Sequence, residues 1–308
     1  MTLHRVQILD VHVAGEPVRV IVGGGPDLAS GPLLARQARL KATSGHFRRA
    51  MTSEPRGSEL LTCAMLCAPH DPRCQIGALF FDADGWATQP GHAVIGLIAA
   101  LAHRGDLKPG DHRIDTPQGA IEAALREDGT VTLQMEACRR HSKDIAVEIA
   151  GRTILGDLAW AGEWFFLTEN RPVALTFANL DALTAEAAAI RAALIEKAVP
   201  EAASAQIAFL GEAPGVFRRN LALRANGRFD RSPGVACAAA KIACLAEDAS
   251  LAEQEALRFQ SVVGGLIDAS YARRNGEIRP QIHARPRVYA ETAVILDPSD
   301  PFCWGFPI

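Results

Sequence analysis

DRSPGVACAAAKIACLAED, Asp230 to Asp248, is a polar turn containing Pro233 and Gly234 that opens directly into a run apolar from Val235 to Ala246 except at Lys241. An earlier stretch, QPGHAVIGLIAALAHRG, Gln89 to Gly105, repeats the pattern, and from Ala93 to Leu101 it holds only Ala, Val, Ile, Leu and Gly. A helix that is apolar on every side, yet shorter than the roughly 20 residues a bilayer requires, belongs in a protein core. Two such helices predict two similar halves, each wrapped around its own central helix. Both begin where a polar turn meets an apolar interior, so their first N–H groups are expected to face a shared pocket and to suit a carboxylate.

The chain has 308 residues, more than the roughly 250 to 300 at which a single core stops growing, so two domains are expected. The first comprises 1–117 with about 288–308 around a helix at 91–104, and the second 118–287 around a helix at 235–247. A formal charge of -3 without long runs of Lys or Arg gives no footprint for nucleic acid or a membrane surface. With no signal-peptide core and no apolar run of about 18 residues, the reading is a cytoplasmic protein. Seven cysteines lack the spacing of a disulfide framework, and reduced, buried thiols are expected. Cys63, Cys67, His70 and Cys74 have spacings that zinc accepts. In a strand, however, Cys63 and Cys67 would stand about 13 Å apart, so no metal site is assigned.

Strands are expected at VQILDVHV and PVRVIVG, followed by a basic amphipathic helix from Leu33 to Met51. LLTCAMLCA reads as a buried strand, and sheet resumes from Asp111 to Met135, near Ile145 to Ile149 and from Gly156 to Leu167. Leu180 to Ala198 reads as a helix with Glu186, Arg191 and Glu196 outward. Gln206 to Phe209 and Asn220 to Leu223 are strands, Leu251 to Phe259 a further helix, and the last fifth is strand again. Helices do not alternate regularly with strands, so an α+β architecture is favoured over a doubly wound one.

These stretches resemble the proline racemase family, and within it the 4-hydroxyproline 2-epimerases. DVHVAGEPVRVIVGG, EPRGSELLTCAMLCAP, PGHAVIG, DHRIDTPQGAIEA, GDLAWAGEWFFL, DRSP and the terminal DPFCWGF carry the resemblance across nearly the whole chain. It implies the fold shared with diaminopimelate epimerase: two pseudo-symmetric α/β domains, each a β-sheet around a central helix, with the active-site cleft between them. It also implies a cofactor-independent isomerase of amino-acid metabolism, acting on a small imino acid, often as a homodimer.

The family's chemistry sets two acid/base groups on opposite faces of the substrate α-carbon. Those groups are cysteines, one at the N-terminus of each central helix, where the helix dipole favours a thiolate. Where the family has Cys-Gly-His, this chain has Pro90, Gly91 and His92. Where it has Ser-Pro-Cys-Gly-Thr-Gly-Thr, this chain has Ser232, Pro233, Gly234, Val235, Ala236, Cys237 and Ala238. By the resemblance both catalytic cysteines are replaced, by Pro90 and Gly234. Relatives that dehydrate trans-3-hydroxyproline replace only one, with Ser or Thr. His92 and Asp230 stand where the family contacts the substrate's ring nitrogen, and the N–H groups of Gly91, His92, Val235 and Ala236 where its carboxylate binds. A pocket-lining Gly-Ser-x-Phe-x-Gly becomes Gly264 to Ala269, and an early His-Thr pair becomes His12 and Val13.

Two principal readings follow. In the first, the chain binds proline- or hydroxyproline-like imino acids without two-thiol racemisation, as a pseudoenzyme. In the second, it is a lyase or one-base isomerase with His92 as base and Asp230 as its partner. A third reading keeps only the fold, as a structural or partner-binding protein. The bland alternatives are a helix-capping His92, a turn-forming Asp230 and a Cys237 that is simply a small core residue.

Overall fold

The computed structural model describes residues 3–87 and 90–306, so Gln89, the first residue of the earlier turn, lies outside the described residues. The chain divides into two compact units, Met1–Val13 with Pro17–Leu133 and Arg285–Ile308, and Ala14–Glu16 with Gln134–Ala284. The division falls at 133/134 rather than the expected 117/118. Ile114, Asp115 and Thr116 pair with Ile121, Ala120 and Gly119, and this tight hairpin keeps the strand after Pro117 in the first unit.

In the first unit the strands are β1 (His4–Val13), β2 (Glu16–Gly23), β3 (Thr62–Cys67), β4 (Ile76–Phe81), β5 (Gly110–Thr116), β6 (Gly119–Leu125), β7 (Val131–Gln134) and β16 (Arg287–Leu296). Their order in the sheet is β16-β1-β2-β3-β4-β5-β6-β7. Among the described residues of this unit, β2–β3 and β4–β5 pair in parallel. Parallel neighbours need a crossover, and the two are α1 (Leu33–Thr52) and α2 (Gly91–His103). Helix α2 packs on β1, β3, β6 and β16, strands from across the sheet, which therefore curls around it. Its residues Ala93 to Ile98, Ala100 and Leu101 are buried. Gly96 is dictated by this packing, since a Cβ there would stand 2.7 Å from Val18 Cγ1. The sheet's other face receives α1, whose Leu33, Leu40, Phe47, Ala50 and Met51 join Val6, Ile8, Ile21, Met65, Leu79 and Phe81 in one core. The helix expected over Leu33 to Met51 is interrupted at Ser44 (φ -140°, ψ 31°).

The second unit holds β8 (Arg139–Ile149), β9 (Arg152–Trp160), β10 (Trp164–Thr168), β11 (Gln206–Ala213), β12 (Val216–Leu223), β13 (Leu257–Ser261), β14 (Leu266–Arg274) and β15 (Glu277–Ala284). Their order is β8-β9-β10-β11-β12-β13-β14-β15, with β10–β11 and β12–β13 parallel. The crossovers are again helices, α3 (Leu180–Glu196) and α4 (Val235–Glu247). Helix α4 packs on β8, β9, β14 and β15, and its alanines allow the surrounding strands close approach. On the other face α3 contributes Leu183, Ala187, Ile190 and Leu194 to a core with Ile154, Phe166, Ile207, Phe209, Leu221 and Leu223.

Two expectations are corrected in this unit. Leu251 to Phe259 is not a helix: Gln254 takes a positive φ of 64° and donates its N–H to Tyr271 O, so the segment turns and enters β13. Arg191 does not point outward. Its guanidinium donates to the carbonyls of Ala205 and Leu223 at 3.2 and 3.1 Å, satisfying backbone groups where β11 begins and β12 ends.

Candidate functional site

Each unit presents one helix start. In the first, a turn closed by Gly85 N–H to the Asp82 carboxylate leads towards Pro90, which precedes α2 and accepts the Val94 N–H at 2.8 Å. Gly91 and His92 are the first two residues of the helix, both half-buried, whereas Pro90 is buried. No side-chain cap bond closes this end, and Gly91 and His92 supply two of the N–H groups that a helix start leaves outside its own ladder. His12 stacks on Tyr289, with ring centroids 6.2 Å apart. The thiols of Cys63, Cys67 and Cys74 are free, and among the described residues no group of three His, Cys, Asp or Glu side chains is placed to hold a metal.

In the second unit the loop from β12 to α4 is more heavily built. Asp230 has its carboxylate 3.9 Å from the Arg224 guanidinium and is 21% exposed. Arg231 folds over the Phe229 ring at 4.4 Å. Ser232 is buried, and its hydroxyl accepts the Gly234 N–H at 3.0 Å. The Asn220 amide holds the Pro233 carbonyl at 3.2 Å. Gly234 sits at φ +80°, and a Cβ there would lie 2.9 Å from Cys237 Cβ and 3.5 Å from an Asp230 carboxylate oxygen. Glycine answers both the backbone sign and the space. Val235 is buried and Ala236 half-buried at the helix start, which has no side-chain cap bond. Cys237 is fully buried, beside the Asn220 amide at 3.8 Å. Burial pushes its thiol well above the usual range.

One residue here escapes sequence reading. Glu16, at the tip between β1 and β2, is buried and accepts the Arg231 N–H at 2.5 Å. Burial first, and the neighbouring Asp230 charge second, push its carboxyl up to about 8, against the hydrogen bonds from the Arg231 and Ser232 backbone. The tip, Ala14–Glu16, belongs to the second unit. Gly15 (φ +98°) passes the Arg231 carbonyl, and a Cβ on Gly265 would come within 1.8 Å of the Ala14 carbonyl. Gly265, in the altered pocket segment, is thus fixed by backbone contact. Further along that segment, Asp268 is paired with Arg258 at 2.8 Å.

Two matched units, each a curled sheet around a buried helix whose start has no side-chain cap bond, define the α/β architecture of an epimerase-type fold. Residues 8–307 match the proline racemase family, and the chain belongs to it. It is 38% identical over 309 residues to a 4-hydroxyproline 2-epimerase of Xanthomonas campestris pv. campestris, covering 98% of this chain and 99% of the relative. It is 39% identical over 311 residues to one of Pseudomonas aeruginosa, with the same coverage. Among solved structures, a hydroxyproline epimerase from Agrobacterium vitis with bound trans-4-hydroxy-L-proline superposes with a TM-score of 0.82 at 22% identity, covering 99% of this chain and 95% of that one. At that identity the likeness establishes the fold.

Proposed function

We propose that this chain binds a proline- or hydroxyproline-like imino acid and does not invert it by proton transfer between two thiols. The observation that carries this reading is the pair of residues that precede the buried helices, Pro90 and Gly234. Neither has a group that can take or give a proton, and inversion needs one on each face of the α-carbon. The resemblance puts the family's two cysteines at these positions. Cys237 does not substitute, being buried with its thiol held protonated.

Asp230 is assigned to the ring nitrogen and the N–H groups of Val235 and Ala236 to the carboxylate. Gly91 and His92 offer the same kinds of contact at the start of α2. Relatives named as hydroxyproline epimerases, and one solved with trans-4-hydroxy-L-proline bound, support this ligand class. The alternative, a lyase or one-base isomerase using His92 and Asp230, gains no support from relatives named for epimerisation. We place the protein in the cytoplasm as a cofactor-independent homodimer, as the family resemblance implies.

Saturation-transfer NMR with L-proline, trans-4-hydroxy-L-proline and trans-3-hydroxy-L-proline tests binding. Transfer to the ring protons of at least one is expected. Asp230→Asn should weaken that ligand about tenfold, the worth of one charge-assisted contact. Absence of transfer with all three would overturn the reading.

A further inference from the structure

Glu16 is a buried carboxyl that the two-thiol scheme does not use. It touches the loop bearing Asp230 through the Arg231 N–H at 2.5 Å, and the hairpin tip that carries it is locked in place by Gly15 and Gly265. The charges that act on it are those of Asp230 and Arg231. The 224–234 segment brings Arg224, Asp230 and Arg231, with Arg224 3.9 Å from Asp230 and the Arg231 guanidinium over Phe229. Helix α4 brings the neutral Cys237 and Lys241, whose ammonium lies 3.9 Å from Glu169. The 261–265 turn packed on the tip holds Ser261, two valines and two glycines, none of them ionisable.

We propose that Glu16 is a proton-carrying positioning residue of the imino-acid site, releasing its proton to solvent when a cationic ring nitrogen docks beside Asp230. The inference rests on the binding reading above. In the free protein the carboxyl is held neutral by burial and by the Asp230 charge. A secondary ammonium at Asp230 offsets that charge, which removes part of the repulsion and lets Glu16 ionise. The balance is simple: the Glu16 O–H bond breaks heterolytically, the proton goes to buffer, and the carboxylate keeps the Arg231 N–H. Reciprocity then requires binding to tighten as pH rises towards 8, by up to about tenfold for each unit by which the ligand lowers the Glu16 pKa.

Isothermal titration of the unmodified protein with L-proline or trans-4-hydroxy-L-proline, in two buffers of different ionisation enthalpy at pH 7, counts the protons released. The expected result is a substantial fraction of one proton, falling to none in Glu16→Gln, whose amide keeps the acceptor for Arg231 while carrying no titratable proton. Binding without proton release in the unmodified protein, or equal release in Glu16→Gln, overturns the inference and leaves the binding reading standing. No binding heat with any imino acid, together with no saturation transfer, sinks both.

Discussion

Glu16 shows how a residue's role is set by neighbours far off in sequence. In the sequence it follows the Ala14-Gly15 turn with no mark of its own; only the fold puts it against Arg231 and Asp230. Its raised pKa has a definite consequence for stability. A carboxyl with a folded-state value of about 8, against an ordinary 4.5, supports the fold fully below about pH 4.5. That support is lost as pH rises to about 8. The unfolding free energy from urea melts of the unmodified protein is therefore expected to fall across this window relative to Glu16→Gln, by at most about 5 kcal/mol. A constant difference between the two from pH 5 to 8 would contradict the assignment. Asp230, His92, Gly91, Val235 and Ala236 are candidates because the turns that carry them match a family pattern. Glu16 lay inside another such motif, but nothing local marks it as buried.

At the scale of elements, the buried helices α2 and α4 were legible because apolar residues on every side of a short helix admit one environment. Small residues then tell how closely the sheet approaches. Gly96→Ala gains roughly 1 kcal/mol of helix propensity. It also drives a Cβ to 2.7 Å from the stiff Val18 side chain, an overpacking cost of about 1–3 kcal/mol. Net destabilisation is expected as a lowered thermal midpoint. The start of α4 constrains chemistry in the same way. Restoring both thiols as Pro90→Cys with Gly234→Cys asks a side chain to adopt φ +80° and to crowd Cys237, so the double variant should show weak epimerisation at best by polarimetry. Activity at the level of ordinary family members would contradict this. The segment from Leu251 was misread because its apolar spacing is helical while Gln254 at positive φ and the Tyr271 carbonyl draw it into a turn.

For the whole molecule, each unit repeats one plan among the described residues: eight strands, two parallel pairs, and a helix crossing each parallel pair. The paired apolar helices announced this plan, and the matching tips Ala14-Gly15-Glu16 and Ala161-Gly162-Glu163 echo it in sequence. The boundary was harder, because β6 and β7 resemble the strands that follow them and only the pairing of β5 with β6 assigns them. A family scaffold that keeps its helix starts while heading them with Pro90 and Gly234 leads to the central claim, binding without removal of the ligand's α-proton. The measurement that tests it most directly is proton NMR of L-proline and trans-4-hydroxy-L-proline in D2O with the unmodified protein. The α-proton signal, followed for hours at a protein concentration that gives saturation transfer, is expected to persist undiminished. Its loss, or the appearance of the epimer, would show that groups other than the family thiols move that proton and would contradict the claim.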